Sequence, residues 1–194
     1  MEEPSMTENP NVEQEQGVIA SFTIDHDHLN PGVYLSRVAP QSLNNGTVYT
    51  LTWDYRVVKP NTNNFMSPTE AHTLEHLMAT ELRTSPGYKT KAEDLVYVGP
   101  MGCATGFYII TQVSAASPLS PEAETQLFDQ AQQDVAHDLK LALERFQSYS
   151  SIPGSTAKEC GNYRLHNLDG ALKQAKLFLK DSATWEYVYP TTQS

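Results

Sequence analysis

The sequence has little basic charge and no long hydrophobic run. Only 13 of its 194 residues are Lys or Arg, against 23 Asp and Glu, and the formal net charge is −10. Binding to the phosphates of nucleic acid requires clustered basic residues, so this composition excludes a nucleic-acid surface. No apolar stretch reaches the roughly 18 residues that a membrane-spanning helix needs. The first residues also lack the basic and apolar regions of a signal peptide, and we expect a cytoplasmic protein.

Cysteine is equally scarce, since the chain contains only Cys103 and Cys160. In a reducing compartment both remain thiols rather than forming a disulfide. Thiols serve as metal ligands or as acid/base groups, because the thiolate is the reactive form. The alternative is that both are small buried apolar side chains, which is the usual role of a free cysteine.

The length and an apolar content of 39 per cent predict one globular domain of ordinary size. Residues 1–17 are rich in Glu, Gln, Asn and Pro and offer almost nothing to bury. They predict a disordered acidic leader, which leaves 18–194 as the single folded domain.

The first part of this domain has the pattern of a β-hairpin. Segments 32–39 and 46–59 are rich in Val, Tyr, Thr and Leu, and Asn44-Asn45-Gly46 lies between them. Asn-Gly is a strong signal for a tight hairpin turn, so we predict two antiparallel strands.

A helix start follows at Ser67. Ser67 is a predicted N-cap, Pro68 occupies the first helical position, and Glu70 completes a capping box. The pattern predicts a helix that continues to about Arg83.

Two further strands and two further helices complete the predicted fold. Short strands are expected at 95–98 and 107–113, with Cys103 in the glycine-flanked turn between them, and helices at about 120–148 and 168–179. The residues predicted to face the core from these helices are Leu127, Ala131, Val135, Leu139 and Leu143, then Leu172, Ala175 and Leu179. The order of elements predicts an α+β fold in which helices cover an antiparallel sheet.

The first predicted helix carries the pattern H-x-x-E-H at His72, Glu75 and His76. Histidines four residues apart lie on one face of a helix, where both rings can reach one metal ion. In metal sites of this spacing the glutamate acts as a general acid/base rather than as a ligand. The alternative is a pair of exposed histidines beside a glutamate that forms a salt bridge.

Two histidines require a third ligand from elsewhere in the chain. Cys160, which is followed by Gly161, and Cys103 both qualify, and the residues alone leave this choice open. A Cys-His-His set binds zinc or ferrous iron. An alternative interpretation of the H-x-x-E-H pattern is a metallopeptidase with the inverted zinc motif, in which Glu144 would be the third ligand.

Several other segments, together with this helix, point to a known family. They are Ser21-Phe22-Thr23-Ile24-Asp25-His26, Asp54-Tyr55-Arg56, Lys59-Pro60-Asn61, the turn from Pro100 to Tyr108, and Glu159-Cys160-Gly161-Asn162-Tyr163 with His166. These motifs occur in the order typical of the S-ribosylhomocysteine lyase (LuxS) family, which the chain resembles over about residues 18–180. Several motifs spread along a chain are far more specific than any one of them.

The resemblance implies a metal centre and an acid/base pair. The ligands of one divalent metal ion per subunit, ferrous iron in preference to zinc, would be His72, His76 and Cys160. Cys103 and Glu75 would move protons. His166 is interpreted as a satisfied polar group rather than a further ligand, and His28 and His137 as structural or exposed.

The resemblance also implies a homodimer with active sites at the subunit interface. Ser21, His26 and Arg56 would bind the substrate, the first two reaching in from the partner subunit. The implied reaction converts S-ribosylhomocysteine to homocysteine and 4,5-dihydroxy-2,3-pentanedione, the precursor of autoinducer-2, by aldose–ketose isomerisations and β-elimination. No nucleic-acid or membrane partner is expected.

The chain departs from the family pattern at two places near the expected site. Tyr97-Val98-Gly99-Pro100 stands where the family usually has Asp-Ile-Ser-Pro, and Ala104 stands where it has Arg or Gln. The acidic leader is a third departure. These differences keep open a non-enzymatic alternative, a paralogue that binds metal and dimerises but does not turn over substrate.

Overall fold

A computed structural model describes residues 23–116 and 118–190 of the chain. The predicted leader 1–17 and the candidate substrate-binding residue Ser21 lie outside the described residues. Within the described part there is one α+β domain, as predicted. No helix in this part combines the length and apolar character needed to span a bilayer.

The centre of the fold is a four-stranded antiparallel sheet in the order β1-β2-β4-β3. Its strands are β1 (Gly32–Leu43), β2 (Gly46–Arg56), β3 (Leu95–Pro100) and β4 (Gly106–Ala115). The β1–β2 hairpin turns at Gly46, whose φ of +143° is a conformation that glycine adopts and other residues rarely do. A Cβ at this position would also collide with the backbone oxygen of Ala115 on β4. The hairpin prediction is therefore confirmed. Glycine at the turn also allows the backbone of β4 to pack closely against it.

Three helices accompany the sheet: α1 (Pro68–Thr84), α2 (Pro121–Phe146) and α3 (Leu168–Asp181). Helix α1 begins as predicted, because the Ser67 hydroxyl accepts from the Glu70 backbone N–H and the Glu70 carboxylate accepts from the Ser67 backbone N–H. Two short 3₁₀ helices, Ala92–Asp94 and Ser182–Thr184, complete the elements.

The core lies between the helices and the sheet. Leu51 and Trp53 of β2 and Leu74 and Leu77 of α1 are at most 1 per cent exposed and belong to one continuous apolar cluster. Burying side chains of this size contributes about 1.5–3 kcal/mol each. The cluster therefore fixes one face of α1 against the core and leaves its other face, with His72, Glu75 and His76, available for the site.

Several predicted boundaries and one buried stripe differ from the structure. Strand β2 ends at Arg56 rather than at 59, because the N–H groups of Val57 and Val58 leave the ladder and donate to the Thr105 carbonyl. On α3 the buried residues are Ala171, Ala175 and Phe178, while the predicted Leu172 and Leu179 are only partly buried. The buried stripe is rotated by about one residue, because Phe178 supplies the bulk that Leu179 was expected to supply.

Glu81 joins the end of α1 to the segment that follows α2. Its buried carboxylate accepts hydrogen bonds from the hydroxyl groups of Tyr88 and Tyr149, each at 2.8 Å, and lies 3.6 Å from the Arg145 guanidinium. Burial raises the pKa of the Glu81 carboxyl, but hydrogen bonds from Tyr149, Ser85 and Tyr88 and the Arg145 charge outweigh it, so the pKa lies below its ordinary value. The ionised form therefore stabilises the fold.

Replacing Glu81 tests this link. We expect Glu81→Gln to lower the free energy of unfolding at pH 7 by about 2–3 kcal/mol, because a charged acceptor of two hydrogen bonds is lost. A lowered pKa gives stability that is present above the unfolded-state value and lost as the pH falls through the folded-state value. The variant should therefore lose less stability between pH 5 and pH 3 than the parent chain in urea titrations. Glu93→Gln, at an exposed position, is the control, and parallel acid profiles for Glu81→Gln and the parent would contradict the assignment.

Candidate active site

Four side chains with metal-ligating atoms converge beside α1. They are His72, His76, Cys160 and His166, and the ligating atoms all lie within 4.8 Å of one another. Helix α1 supplies two of them at the i, i+4 spacing that places both on one face. The connection between α2 and α3 supplies the other two. This grouping could hold one metal ion.

Both helix histidines are oriented by backbone carbonyls of that connection. His72 Nδ1 lies 2.7 Å from the Leu165 carbonyl oxygen, and His76 Nδ1 lies 2.8 Å from that of Pro153. A carbonyl oxygen can only accept, so in both rings Nδ1 carries the hydrogen. Nε2 is left with a free lone pair, which is the state that a histidine ligand requires.

Cys160 completes a set of three donors. Its Sγ lies 3.4 Å from His72 Nε2 and accepts a hydrogen bond from the Asn162 backbone N–H at 3.4 Å. A tetrahedral ion with typical bond lengths to nitrogen and sulfur would separate these two ligand atoms by about 3.6 Å. The donor types and their separation therefore fit zinc or ferrous iron.

His166 was expected to be a polar group with all its hydrogen bonds satisfied. In the structure only one of its two ring nitrogens has a partner among the described residues. Its Nδ1 is paired with the Thr73 hydroxyl at 3.2 Å, but its buried Nε2 has no hydrogen-bond partner among the described residues. Its ring stacks on His72, with the ring centroids 4.0 Å apart. Burial lowers the pKa of His166, and the neighbouring His72 and His76 rings lower it further, which favours the neutral imidazole. No local spacing in the sequence marks this residue.

Glu75 stands at the edge of the donor set. Its Oε2 lies 3.8 Å from His76 Nε2, and its side chain is partly exposed. With His72 it lines a cleft of about 630 Å³. Gly102 and Ala104, the neighbours of Cys103, line the same cleft. A carboxylate and the two residues that flank the Cys103 thiol thus line one opening beside the possible metal position.

A tight turn between β3 and β4 holds Cys103. The Met101 N–H donates to the Gly106 carbonyl and the Ala104 N–H to the Met101 carbonyl, each at 2.9 Å. Ala104 adopts a positive φ of 58°, which residues with a Cβ rarely do. The turn therefore fixes the thiol by backbone bonds and a strained alanine.

Arg56 and Thr105 act on this thiol. Arg56 is 3 per cent exposed, and its Nη2 donates to the Asp54 carboxylate at 2.9 Å. Its Nη1 donates to the Thr105 hydroxyl at 3.1 Å and lies 3.8 Å from Cys103 Sγ. Because the Thr105 oxygen accepts from Arg56, its own hydrogen is free to donate to the sulfur 3.0 Å away. Burial raises the pKa of the Cys103 thiol, but the Thr105 hydrogen bonds and the Arg56 charge outweigh it, and the pKa is lowered. A lowered pKa favours the thiolate.

The remaining candidates have other surroundings. His26 is half-buried, with Nδ1 2.8 Å from the Ile24 carbonyl oxygen. His28 and His137 pair with Asp25 and Asp138, as the structural interpretation expected. Glu144, the ligand that a peptidase would need, is exposed on α2 and is not in the donor group found within 23–116 and 118–190.

Tyr97 lines the cleft with about half of its surface exposed. Its ring lies over Gly99, where a Cβ would collide with the phenol oxygen. Two of the departures from the family pattern in this strand, Tyr97 and Gly99, are therefore coupled, because the tyrosine ring occupies the space above the glycine.

The chain is similar to known proteins over most of its length. The profile of the family described as S-Ribosylhomocysteinase (LuxS) matches residues 19–188. A protein of Clostridium beijerinckii named S-ribosylhomocysteine lyase is 42 per cent identical over 84 per cent of this chain and 89 per cent of its own length. Proteins of the same name from Desulfotalea psychrophila and Borreliella afzelii are 40 and 37 per cent identical, over 81 and 84 per cent of this chain and 86 and 90 per cent of their own lengths.

The environment of Cys103 predicts its reactivity. In Thr105→Val the hydroxyl donor is lost, so the thiol pKa should rise and alkylation of Cys103 by iodoacetamide at pH 7 should slow by about three- to tenfold. The rate profile should shift to higher pH, because the thiolate forms only above the raised pKa. Mass spectrometry of the Cys103 peptide measures the rate, with Thr84→Val, at the exposed end of α1, as control. An unchanged profile would show that the hydroxyl does not donate to the sulfur.

Proposed function

The chain belongs to the S-ribosylhomocysteinase (LuxS) family, and we propose that it cleaves S-ribosylhomocysteine to homocysteine and 4,5-dihydroxy-2,3-pentanedione in a metal-dependent reaction. The observation that supports this most strongly is a cleft lined by His72 of the donor group, by Glu75, and by Gly102 and Ala104, the two neighbours of the activated Cys103 thiol. This combination suits proton transfers on a sugar followed by loss of a thiolate.

The donors His72, His76 and Cys160 would hold the metal, with His72 and His76 fixed through Nδ1 so that each offers Nε2. When bound, a divalent ion in this set supplies Lewis acidity toward carbonyl and hydroxyl oxygens of the sugar. Three protein donors leave a position for substrate. The donor types suit ferrous iron or zinc, and we propose ferrous iron, as the family resemblance suggests.

Cys103 is proposed to remove and return protons at carbon. Its thiolate, stabilised by Thr105 and the buried Arg56, takes a proton from the carbon next to the sugar carbonyl and returns it to the former carbonyl carbon. Two such transfers move the carbonyl from C1 to C3. Removal of the C4 proton then places its electron pair in a C4–C5 double bond, the C5–sulfur bond breaks, and homocysteine leaves as thiolate. The resulting C4 enol loses its hydroxyl proton and takes up a proton at C5, which gives the dione.

Glu75 is proposed to carry protons between oxygens during these steps and to act in the elimination. It lines the cleft, and it is partly exposed, so it can exchange protons with solvent. Its distance of 3.8 Å from His76 Nε2 places it beside the donors without making it one of them.

The assembly and the biological product are also part of the proposal. A homodimer would bring Ser21 and His26 of one subunit to the cleft of the other, while Arg56 contributes from within the same chain. The dione product is the precursor of autoinducer-2, so the enzyme would serve both signalling and the recycling of homocysteine in the activated methyl cycle. We propose that it acts in the cytoplasm.

The metal ligands can be tested without activity. We expect Cys160→Ala, purified anaerobically, to bind Fe(II) or Co(II) at least about 100-fold more weakly than the parent chain, because a thiolate ligand is lost. Chelator competition measures the affinity, and His137→Ala, which removes an exposed histidine of α2, is the control. Full metal content in Cys160→Ala would instead favour a carboxylate ligand and the peptidase alternative.

Turnover is tested by released thiol. The Fe(II)-loaded protein, incubated anaerobically with S-ribosylhomocysteine, should release homocysteine catalytically. Cys103→Ala and Glu75→Gln should each reduce the rate by at least about 100-fold while keeping the metal, because each removes a general acid/base. A metal-loaded parent chain that releases no thiol would support the paralogue alternative, for which Tyr97 and Ala104 are the motivating differences.

A further inference from the structure

His166 is the one member of the donor group whose role the proposed reaction does not use. The lone pair on its buried Nε2 has no partner among the described residues. A nitrogen of the same ring lies within 4.8 Å of the ligating atoms of His72, His76 and Cys160. A buried polar atom without a partner destabilises a fold, so the position of this nitrogen calls for an explanation.

The Thr73 hydroxyl determines which nitrogen of His166 carries the hydrogen. Its oxygen lies 2.7 Å from the Thr69 carbonyl, which can only accept, so the hydroxyl hydrogen is used there. The same oxygen accepts from the Asn167 backbone N–H at 2.9 Å. Toward His166 Nδ1, 3.2 Å away, the hydroxyl can therefore act only as an acceptor. Nδ1 is the protonated nitrogen, and Nε2 is a bare acceptor.

The stacking of the rings argues against His166 as a fourth ligand of the same ion. The His72 and His166 rings are inclined by only 20° with centroids 4.0 Å apart, whereas His72 and His76 are inclined by 81°. A histidine ligand binds a metal in the plane of its ring, at about 2.0–2.1 Å from the nitrogen. An ion in the plane of His72 therefore lies well outside the nearly parallel plane of His166, while the plane of His76 can include it.

We propose that Nε2 of His166 is a hydrogen-bond acceptor for a hydroxyl of the ribosyl substrate, and that Thr73 is the positioning residue that fixes this acceptor state. This inference rests on the proposed function, because it requires the metal site and the sugar substrate. His166 is adjacent to the cleft, since Leu165, the preceding residue, and His72, the ring stacked on it, both line the cleft. A hydroxyl donor from the substrate satisfies the one nitrogen that the protein leaves unpaired.

The first arm of the test uses Co(II) without substrate. His166→Phe keeps a ring to stack on His72 but removes the acceptor. We expect it to bind one Co(II) per chain with the same d–d and thiolate charge-transfer bands as the parent protein, because the three donors are unchanged. Loss of these bands in His166→Phe alone would make His166 a ligand and overturn the inference. A parent chain that binds no Co(II) would instead refute the metal site itself.

The second arm measures S-ribosylhomocysteine binding and turnover in the Co(II) proteins. His166→Phe should weaken substrate binding by about tenfold, the value of one hydrogen bond, and His166→Gln, which places an amide oxygen near the position of Nε2, should restore most of it. Thr73→Val should give a loss in the same direction, whereas Thr73→Ser, which keeps the hydroxyl, should not. Substrate affinity that is unchanged in His166→Phe, or equally low in His166→Gln, would overturn the proposal.

Discussion

The site depends on two hydrogen bonds that join a helix to a loop. His72 and His76 donate from Nδ1 to the carbonyl oxygens of Leu165 and Pro153, both in the connection between α2 and α3. Each bond does two things, because it orients a ring and leaves Nε2 free for a metal. The same connection carries Cys160, so docking of the loop on α1 brings the third donor to the first two. The three-donor set therefore exists only when helix α1 and the connection between α2 and α3 pack together.

Packing in the core holds helix α1 in one position, so the connection between α2 and α3 docks on it in one geometry. Leu74 and Leu77 hold one face of α1 against the sheet, and Glu81 ties the end of the helix to Tyr149, where the connection begins. A site built from a rigid helix and an irregular segment would otherwise lose precision, since loops are more mobile than the elements they join. Here the loop is fixed at both ends and by its own carbonyl groups. The geometry of the donors is thus a property of the whole helical layer.

Much of this could be predicted from the sequence, because the signals were local. Ser67, Pro68 and Glu70 indicated where α1 begins, and the H-x-x-E-H spacing indicated a shared face. The end of β2 was missed because the N–H groups of residues 57 and 58 find their acceptor at Thr105, about fifty residues away. His166 was misjudged for the same reason, since its partner Thr73 and its stacking neighbour His72 are both distant in sequence. Thr73 gave no sign of its role, because a threonine inside a helix ordinarily donates to the preceding turn and does nothing more.

The positive charge near the Cys103 thiol is also positioned by a specific hydrogen bond. Arg56 is an unusual residue to bury, and the ionic partner that compensates its charge is Asp54, two residues earlier on the same strand face. A buried pair of this kind is weak evidence for stability, because the cost of removing both groups from water offsets much of their attraction.

The position of the Arg56–Asp54 pair says more about the site than its interaction energy does. One guanidinium nitrogen bonds the carboxylate while the other bonds Thr105, so the Asp54 bond directs the cation toward Cys103. The turn that presents the sulfur also contains Ala104 in a conformation that alanine disfavours, and that strain is accepted beside the Cys103 thiol, whose pKa the surroundings lower. The strained Ala104 lines the cleft, and the His166 ring, whose Nε2 is unpaired among the described residues, stacks on His72, which also lines it. A fold optimised only for stability would place neither feature there.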